Sequence, residues 1–281
     1  MKTSVSSYSF SALGLSCEDV IAAAAEIGFD AVEFTDIPAS CHSEEIKAAN
    51  ALLLEAEKHG ICISGYSVGG DLMAEGGRDV SAEAERIMRK IDVAEALGAP
   101  LLRHDATFRF PPEGLSFEDV VGGMADVARE ITVYAEKKGI RTATENHGTF
   151  CQASDRMLSL INAVDHKNYG MQVDIGNFLC VDEDPLTAVT ACAPYAFNLH
   201  LKDFRYRRKN DPPTDGGWFS NLNGNYLCGT VLGHGIVPVR QCFEAAASCG
   251  YDGYITLEFE GPEDVMSAVK EGYSFMKQLV R

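Results

Sequence analysis

A chain of 281 residues is long enough for two modest domains or for one α/β barrel, which takes about 250. Its net charge of -17 repels phosphate backbones and leaves no basic stripe, which argues against nucleic acid as a partner. No apolar run reaches the roughly 18 residues that a membrane span requires, and the composition is that of an ordinary globular protein.

In chain order, the opening MKTSVSSYSFSALG has neither a continuous apolar stretch nor a small-residue cleavage site, so the expected location is the cytoplasm. Strand-like runs then recur near 3–10, 30–35, 61–66, 99–104, 140–145, 170–174, 196–201 and 254–258. Helical patterns alternate with them near 17–28, 43–59, 79–98, 116–139, 153–164, 185–193, 237–249 and 262–279. Several helices close on a glycine that leads straight into the next strand, as in EIGFDAVEF, EKHGICISG, EALGAPLLR, EKKGIRTAT and ASCGYDGYITLEF. Eight such pairs with no evident linker predict one domain over 1–281, a single (β/α)8 TIM barrel of the α/β class. The rhythm breaks once, at 203–236, a long Pro/Gly-rich connection between the seventh strand and seventh helix that carries Trp218, Phe219 and Tyr226. Connections of this length are commonly functional, and this one leaves the catalytic face of the expected barrel. It reads either as a cover over the substrate or as a contact between subunits of a homo-oligomer.

The nine cysteines are odd in number, scattered and without a CxxC pair, which argues against disulfides and structural zinc. Of these, Cys151 and Cys180 follow strands that carry chemistry and are the positions for a thiol, should one be used.

Four strand ends carry residues that bind divalent cations: Glu145 in IRTATENHG, Asp174 in YGMQVDIGN, His200 in YAFNLHLKD and Glu258 in DGYITLEFEG. Singly, each has a structural reading, as a cap, an ion pair or a satisfied core histidine. Together they would converge at one end of a parallel barrel, where charges among apolar strand residues are costly unless paired or bound to a cation. Three carboxylates and an imidazole suit one hard or borderline ion, with Mn²⁺ first and Mg²⁺, Co²⁺ or Zn²⁺ as alternatives. Such a centre points to an enzyme acting on a small oxygen-rich molecule.

In order along the chain, TENHG, VDIGN, NLHLKD, LGHGIVP and TLEFEG resemble the xylose isomerase-like superfamily of sugar isomerases and epimerases. That group includes ketose 3-epimerases, inosose isomerases and dehydratases, hydroxypyruvate isomerases and, more distantly, endonuclease IV. The resemblance implies a metal on Glu145, Asp174, His200 and Glu258, with Glu145 and Glu258 also the catalytic acid–base pair across the substrate carbon. Two departures stand out. Many epimerases of the group have a histidine three residues after the ligand aspartate, where this chain has Asn177, which can hydrogen-bond a hydroxyl but not shuttle a proton. The substrate-contacting arginine after the histidine strand has no fixed counterpart among Arg205, Arg207 and Arg208.

Further polar residues expected on the same face are Lys202, His147, Arg103 and His104, with Glu33, His234 and Glu260 as outer candidates. Each also has a structural reading as an ion-pairing or hydrogen-bonding residue. The substrate-binding set expected from the sequence is His104, His147, Asn177, Lys202, Arg207 and Trp218. The leading function is isomerisation or epimerisation of a sugar or polyol by proton abstraction next to a carbonyl, through an enediolate. The alternative is a lyase or dehydratase acting on an inosose, keto-sugar or oxidised glycoside from the same intermediate. A phosphodiesterase is disfavoured by the charge and by too few well-placed histidines, and a non-catalytic binding subunit by the intact ligand set.

Overall fold

In a computed structural model, residues 1–73 and 79–280 are described, and the expected barrel is present and closed. Its eight parallel strands are β1 (Lys2–Ser6), β2 (Ala31–Thr35), β3 (Cys62–Val68), β4 (Leu101–His104), β5 (Arg141–Glu145), β6 (Tyr169–Asp174), β7 (Ala196–Leu201) and β11 (Tyr254–Leu257). Sequential neighbours pair around the ring, and β1 closes it against β11 through Lys2↔Tyr254 to Val5↔Leu257. These strands are buried on both faces, which is why they read as continuous apolar or β-branched runs.

The outer ring comprises α1 (Cys17–Ile27), α2 (His42–His59), α3 (Val80–Leu97), α4 (Phe117–Glu136), α5 (Ser154–Val164), α6 (Pro185–Cys192), α7 (Val239–Ser248) and α8 (Val265–Leu279). Their starts are encoded locally: Ser16 and Asp184 cap α1 and α6 through their side chains, and Ser116 with Asp119 forms a capping box at α4. At two of the expected stops, Gly60 and Gly98 take left-handed backbone at φ 67° and 70°, which lets the chain reverse into the next strand. No described helix is long and apolar enough to cross a membrane.

Two segments differ from expectation. The first strand ends at Ser6, not at residue 10, because the Ser6 hydroxyl accepts the Tyr8 N–H and turns the chain into a 3₁₀ helix over Ser7–Leu13. Phe10 is thereby buried, while Tyr8 is carried to the barrel mouth. The connection at 203–236 is also more regular than its composition implied: β8 (Asp203–Arg207), β9 (Phe219–Ser220) and β10 (Tyr226–Thr230) form an antiparallel sheet in the order β8-β10-β9. Its base is pinned by Asp203, whose carboxylate accepts the N–H groups of Phe204, Gly233, Gly235 and Val237 at 2.8–3.0 Å.

Candidate metal and substrate site

Parallel register brings the four strand-end residues together. Asp174 lies beside His200, and Glu145 beside Gln172, two residues before Asp174 on the same strand face. Glu258 follows the last residue of β11, whose Thr256 is level with His200. One donor atom from each of Glu145, Asp174, His200 and Glu258 lies within 4.8 Å of all the others. Donors on opposite sides of an ion at about 2.0–2.2 Å would be up to ~4.4 Å apart, so only a small contraction separates this set from coordination.

The imidazole of His200 is oriented from behind. Its Nε2 lies 3.1 and 3.0 Å from the two Glu33 oxygens, so Nε2 carries the proton and Nδ1 is left toward the acids. Glu33 is itself held by the Ser67 hydroxyl and the Asn198 amide, each at 2.7 Å. His200 Nδ1 is buried and lacks a hydrogen-bond partner, and Asp174 Oδ2, equally buried, makes no hydrogen bond and has the Lys202 ammonium 3.2 Å away. The other Asp174 oxygen accepts the N–H groups of Gly176 and Asn177.

Lys202 is buried among the acids. Its ammonium lies 2.5 Å from Glu258, 3.0 Å from Glu260 and 3.2 Å from Asp174, and it donates to Asn177 Oδ1 at 3.3 Å. On the opposite wall, Glu145 receives Arg103 at 2.6 Å, Gln172 at 3.1 Å and the Asn177 amide at 3.0 Å. Arg103 also pairs with Asp105 at 2.7 Å, and Asp105 lies 3.0 Å from His147 Nδ1.

These contacts set the ionisation of the site. Burial pushes Asp174 up to about 6, with Lys202 pulling down against the charges of Glu145 and Glu258. Burial also opposes charge on Glu258, but Lys202 and His200 outweigh it and hold that carboxyl well below the usual range. His200 and Lys202 are each disfavoured as cations by burial, yet their acidic neighbours raise both well above their ordinary values. In this cluster Glu33, Asp105, Glu145, Asp174, Glu258 and Glu260 face Arg103, Lys202 and two histidines. Acids outnumber cations even with both imidazoles charged. The unpartnered His200 Nδ1, the all-carboxylate-and-imidazole donor set and this charge deficit together fit a divalent cation.

Above the four residues is a chamber of about 180 Å³, walled by Glu33, Arg103, Glu145, His147, Lys202 and Glu258 among others. Sequence reasoning brought most of these to the site but missed Tyr8, Thr35, Ser67, Gln172 and Asp105. Strand alternation from Asp174 and His200 could have found Gln172 and Asn198; nothing local in the sequence marks Tyr8, which arrives through the 3₁₀ turn. Glu33 and Glu260, outer candidates by sequence, both line this chamber.

Other expectations need correction. His104 is fully buried, with Nδ1 3.0 Å from the Asp105 carbonyl and its ring near Tyr169, so it faces the packing around the barrel and does not touch the chamber. Arg207 and Arg205 lie over the Trp218 ring at 5.6 and 5.4 Å, and the indole N–H goes to Asp215. Trp218 and Arg207 therefore brace the β8–β10 sheet and leave the chamber walls to others, because the cationic and aromatic groups satisfy one another. His234 lies 3.8 Å from Glu271 of α8 on the outer surface. Burial raises the Cys151 and Cys180 thiols to about 12, which makes them poor nucleophiles.

The fold and site define a parallel barrel with a polar, acid-rich centre at the carboxyl ends of its strands. Residues 21–279 match the family model described as "Xylose isomerase-like TIM barrel", and the chain belongs to that family. A curated relative, inosose dehydratase of Lacticaseibacillus casei, is 28% identical over 140 residues, or 49% of this chain and 44% of the relative. The matched part is thus less than half the length of that relative. Among solved structures, the probable 3-DHS dehydratase AsbF of Bacillus anthracis superposes with TM-score 0.75 at 18% identity, covering 99% of both chains. D-psicose 3-epimerase of Clostridium cellulolyticum H10 gives 0.77 at 15% identity over 100% of both. At these identities the superpositions establish the fold, and dehydratases and epimerases share it.

Proposed function

We propose that the chain is a divalent-metal lyase acting on a keto-polyol or keto-sugar, with Glu145, Asp174, His200 and Glu258 as the ligands and Mn²⁺ as the ion. A cation held by these four supplies Lewis acidity toward a carbonyl oxygen. The observation that carries the choice of lyase is the unequal environment of the two glutamates. Glu145 receives a guanidinium and two amide N–H groups, an arrangement that suits an acceptor-only carboxylate. An epimerase needs its second carboxyl to hold and return a proton, and Glu145 is poorly disposed to do so. Glu258, kept ionised by Lys202 and free of the guanidinium, is the carboxylate we assign as the base.

In the proposed reaction Glu258 takes the proton from the carbon next to the carbonyl. The bond to the oxygen on the following carbon then breaks, and its electron pair leaves with that oxygen. Glu258 returns the proton to the departing oxygen while the Lys202 ammonium offsets its charge. Asn177 and His147 contact ring hydroxyls, and Arg103 fixes Glu145. The dehydratase name of the curated relative agrees with this chemistry. Isomerisation or epimerisation is the second reading, favoured by the presence of both glutamates in the chamber. The test is incubation of keto-inositols and keto-sugars with Mn²⁺ in D₂O, followed by mass analysis. Loss of water or an alcohol supports the lyase; deuterium uptake with an unchanged formula overturns it in favour of the isomerase.

A further inference from the structure

A second chamber, of about 450 Å³, adjoins the first, and His147, Lys202 and Glu260 belong to the walls of both. The inner 180 Å³ corresponds to about six waters at ~30 Å³ each, enough for one polyol ring. The outer volume falls within the roughly 300–1,000 Å³ of small-molecule sites. A substrate ending at the ring would leave it unused.

Its lining is mixed, and the exposed apolar side chains in it come from two separate loops. Phe108 follows β4 and stands edge-on to His147 with ring centres 4.9 Å apart. Phe219 and Leu222 come from the β8–β10 insertion, and Phe219 is braced edge-on by buried Phe204 at 5.8 Å. Phe108, Phe219 and Leu222 are 51%, 41% and 56% exposed, which is costly surface for a chamber holding only water. Three of its polar side chains, Gln152, Asn177 and Asn221, are already engaged within the protein. Gln152 accepts from Thr149 N–H and donates to the Asn177 carbonyl; Asn221 donates to Leu179 and Asp182 and accepts from Asn223 and Asn225. The Asn177 amide is divided between Glu145 and Lys202. A second sugar would find few free partners here, whereas a flat apolar group would find three apolar side chains.

We infer that the outer chamber is a subsite for an aromatic leaving group, so that the substrate is an aryl glycoside whose ring carries a ketone two carbons from the anomeric centre. This rests on the lyase reading and specifies its leaving group. Carbonyl, acidic C–H and departing oxygen then occupy three successive ring carbons. The C–H proton passes to Glu258, the anomeric C–O bond breaks with its electron pair going to oxygen, and that oxygen takes up the proton as a free phenol. The ring keeps the new carbon–carbon double bond. No oxidant enters, because the ketone is already present; an oxidation of the corresponding hydroxyl must precede this step. Lys202, shared by both chambers, lies where the breaking bond would join them.

The experiment compares 4-nitrophenyl and methyl 3-keto-β-D-glucosides with the Mn²⁺-loaded enzyme, by alcohol release in D₂O and by calorimetric titration of phenyl and methyl β-D-glucosides. Burying one ring predicts a preference for phenyl over methyl glucoside of about ten- to a hundredfold in affinity, free of the leaving-group difference that favours nitrophenol release. Phe219→Ala should collapse that ratio toward unity; the exposed position of this ring makes the variant safe for folding. Equal release from both keto-glucosides, or equal binding of both glucosides, overturns the subsite and leaves the lyase reading standing. Deuterium uptake without release from either compound overturns the lyase reading, and the binding ratio still decides the chamber.

Discussion

The carboxylate of Glu33 in β2 lies 3.0 Å from Nε2 of His200 in β7, across the barrel interior, and both side chains are almost wholly buried. This pair determines which imidazole nitrogen faces the acids. A histidine whose outer nitrogen donates to a carboxylate is fixed in tautomer and angle, and such partners typically account for about 10–100-fold in metal affinity. Glu33→Ala is expected to weaken Mn²⁺ binding by that factor in calorimetric titration. Glu33→Gln, which keeps an acceptor for the Nε2–H, should lose clearly less. Equal losses in the two variants would refute the orienting role.

Arg103 and Glu145 form the second buried pair, at 2.6 Å. Removing one partner leaves an uncompensated charge, which typically costs about 3–5 kcal/mol. Arg103→Met should therefore lower the thermal midpoint of the metal-free protein substantially. Mn²⁺, as a substitute positive charge near Glu145, should recover part of the loss. Scanning calorimetry with and without the ion provides the check, and an unchanged midpoint would count against the pairing.

The two glutamates should separate kinetically. Glu258→Gln removes the proposed base and should slow exchange of the substrate proton by about 10²–10⁴-fold, as read by NMR in D₂O. Glu145→Gln should weaken metal binding, yet at saturating Mn²⁺ retain far more exchange than the Glu258 variant. If both variants are equally silent with metal bound, the one-base scheme gives way to the two-base epimerase.

Asp203 offers a test of the insertion at 203–236. It collects four backbone N–H groups, and each buried donor left without an acceptor costs about 1–3 kcal/mol. Asp203→Ala should leave the barrel folded but raise amide hydrogen exchange at Phe204, Gly233, Gly235 and Val237. Protection unchanged at these positions would show that the β8–β10 sheet does not depend on this anchor.

Chelation addresses the charge excess of the site. A ligand that binds only the folded state stabilises it by about 2.7 kcal/mol at a hundredfold excess over its Kd. Dialysis against EDTA should lower the thermal midpoint, and Mn²⁺ should restore it. A midpoint insensitive to both treatments would argue that the four residues hold no cation.

The barrel itself was legible in the sequence because its determinants are local. Glycines after helices such as Gly60 and Gly98, caps such as Ser16 and Ser116, and buried β-branched runs each act over a few residues and repeat along the chain. The convergence of Glu145, Asp174, His200 and Glu258 followed from the same grammar, since consecutive parallel strands must end on one face. Partnership across the ring was beyond its reach. Glu33 and His200 are 167 positions apart, and only barrel closure makes them neighbours. His104 and Trp218 looked like site residues by position, but side-chain direction sent one into the packing and two arginines claimed the other. The regular sheet within 203–236 is likewise a tertiary product: its pairs are non-local, its turns are rich in proline and glycine, and its anchor is one buried carboxylate. Strand and helix periodicity reports how a segment meets a core, whereas the pairing of charges depends on which distant segments the closed ring brings face to face.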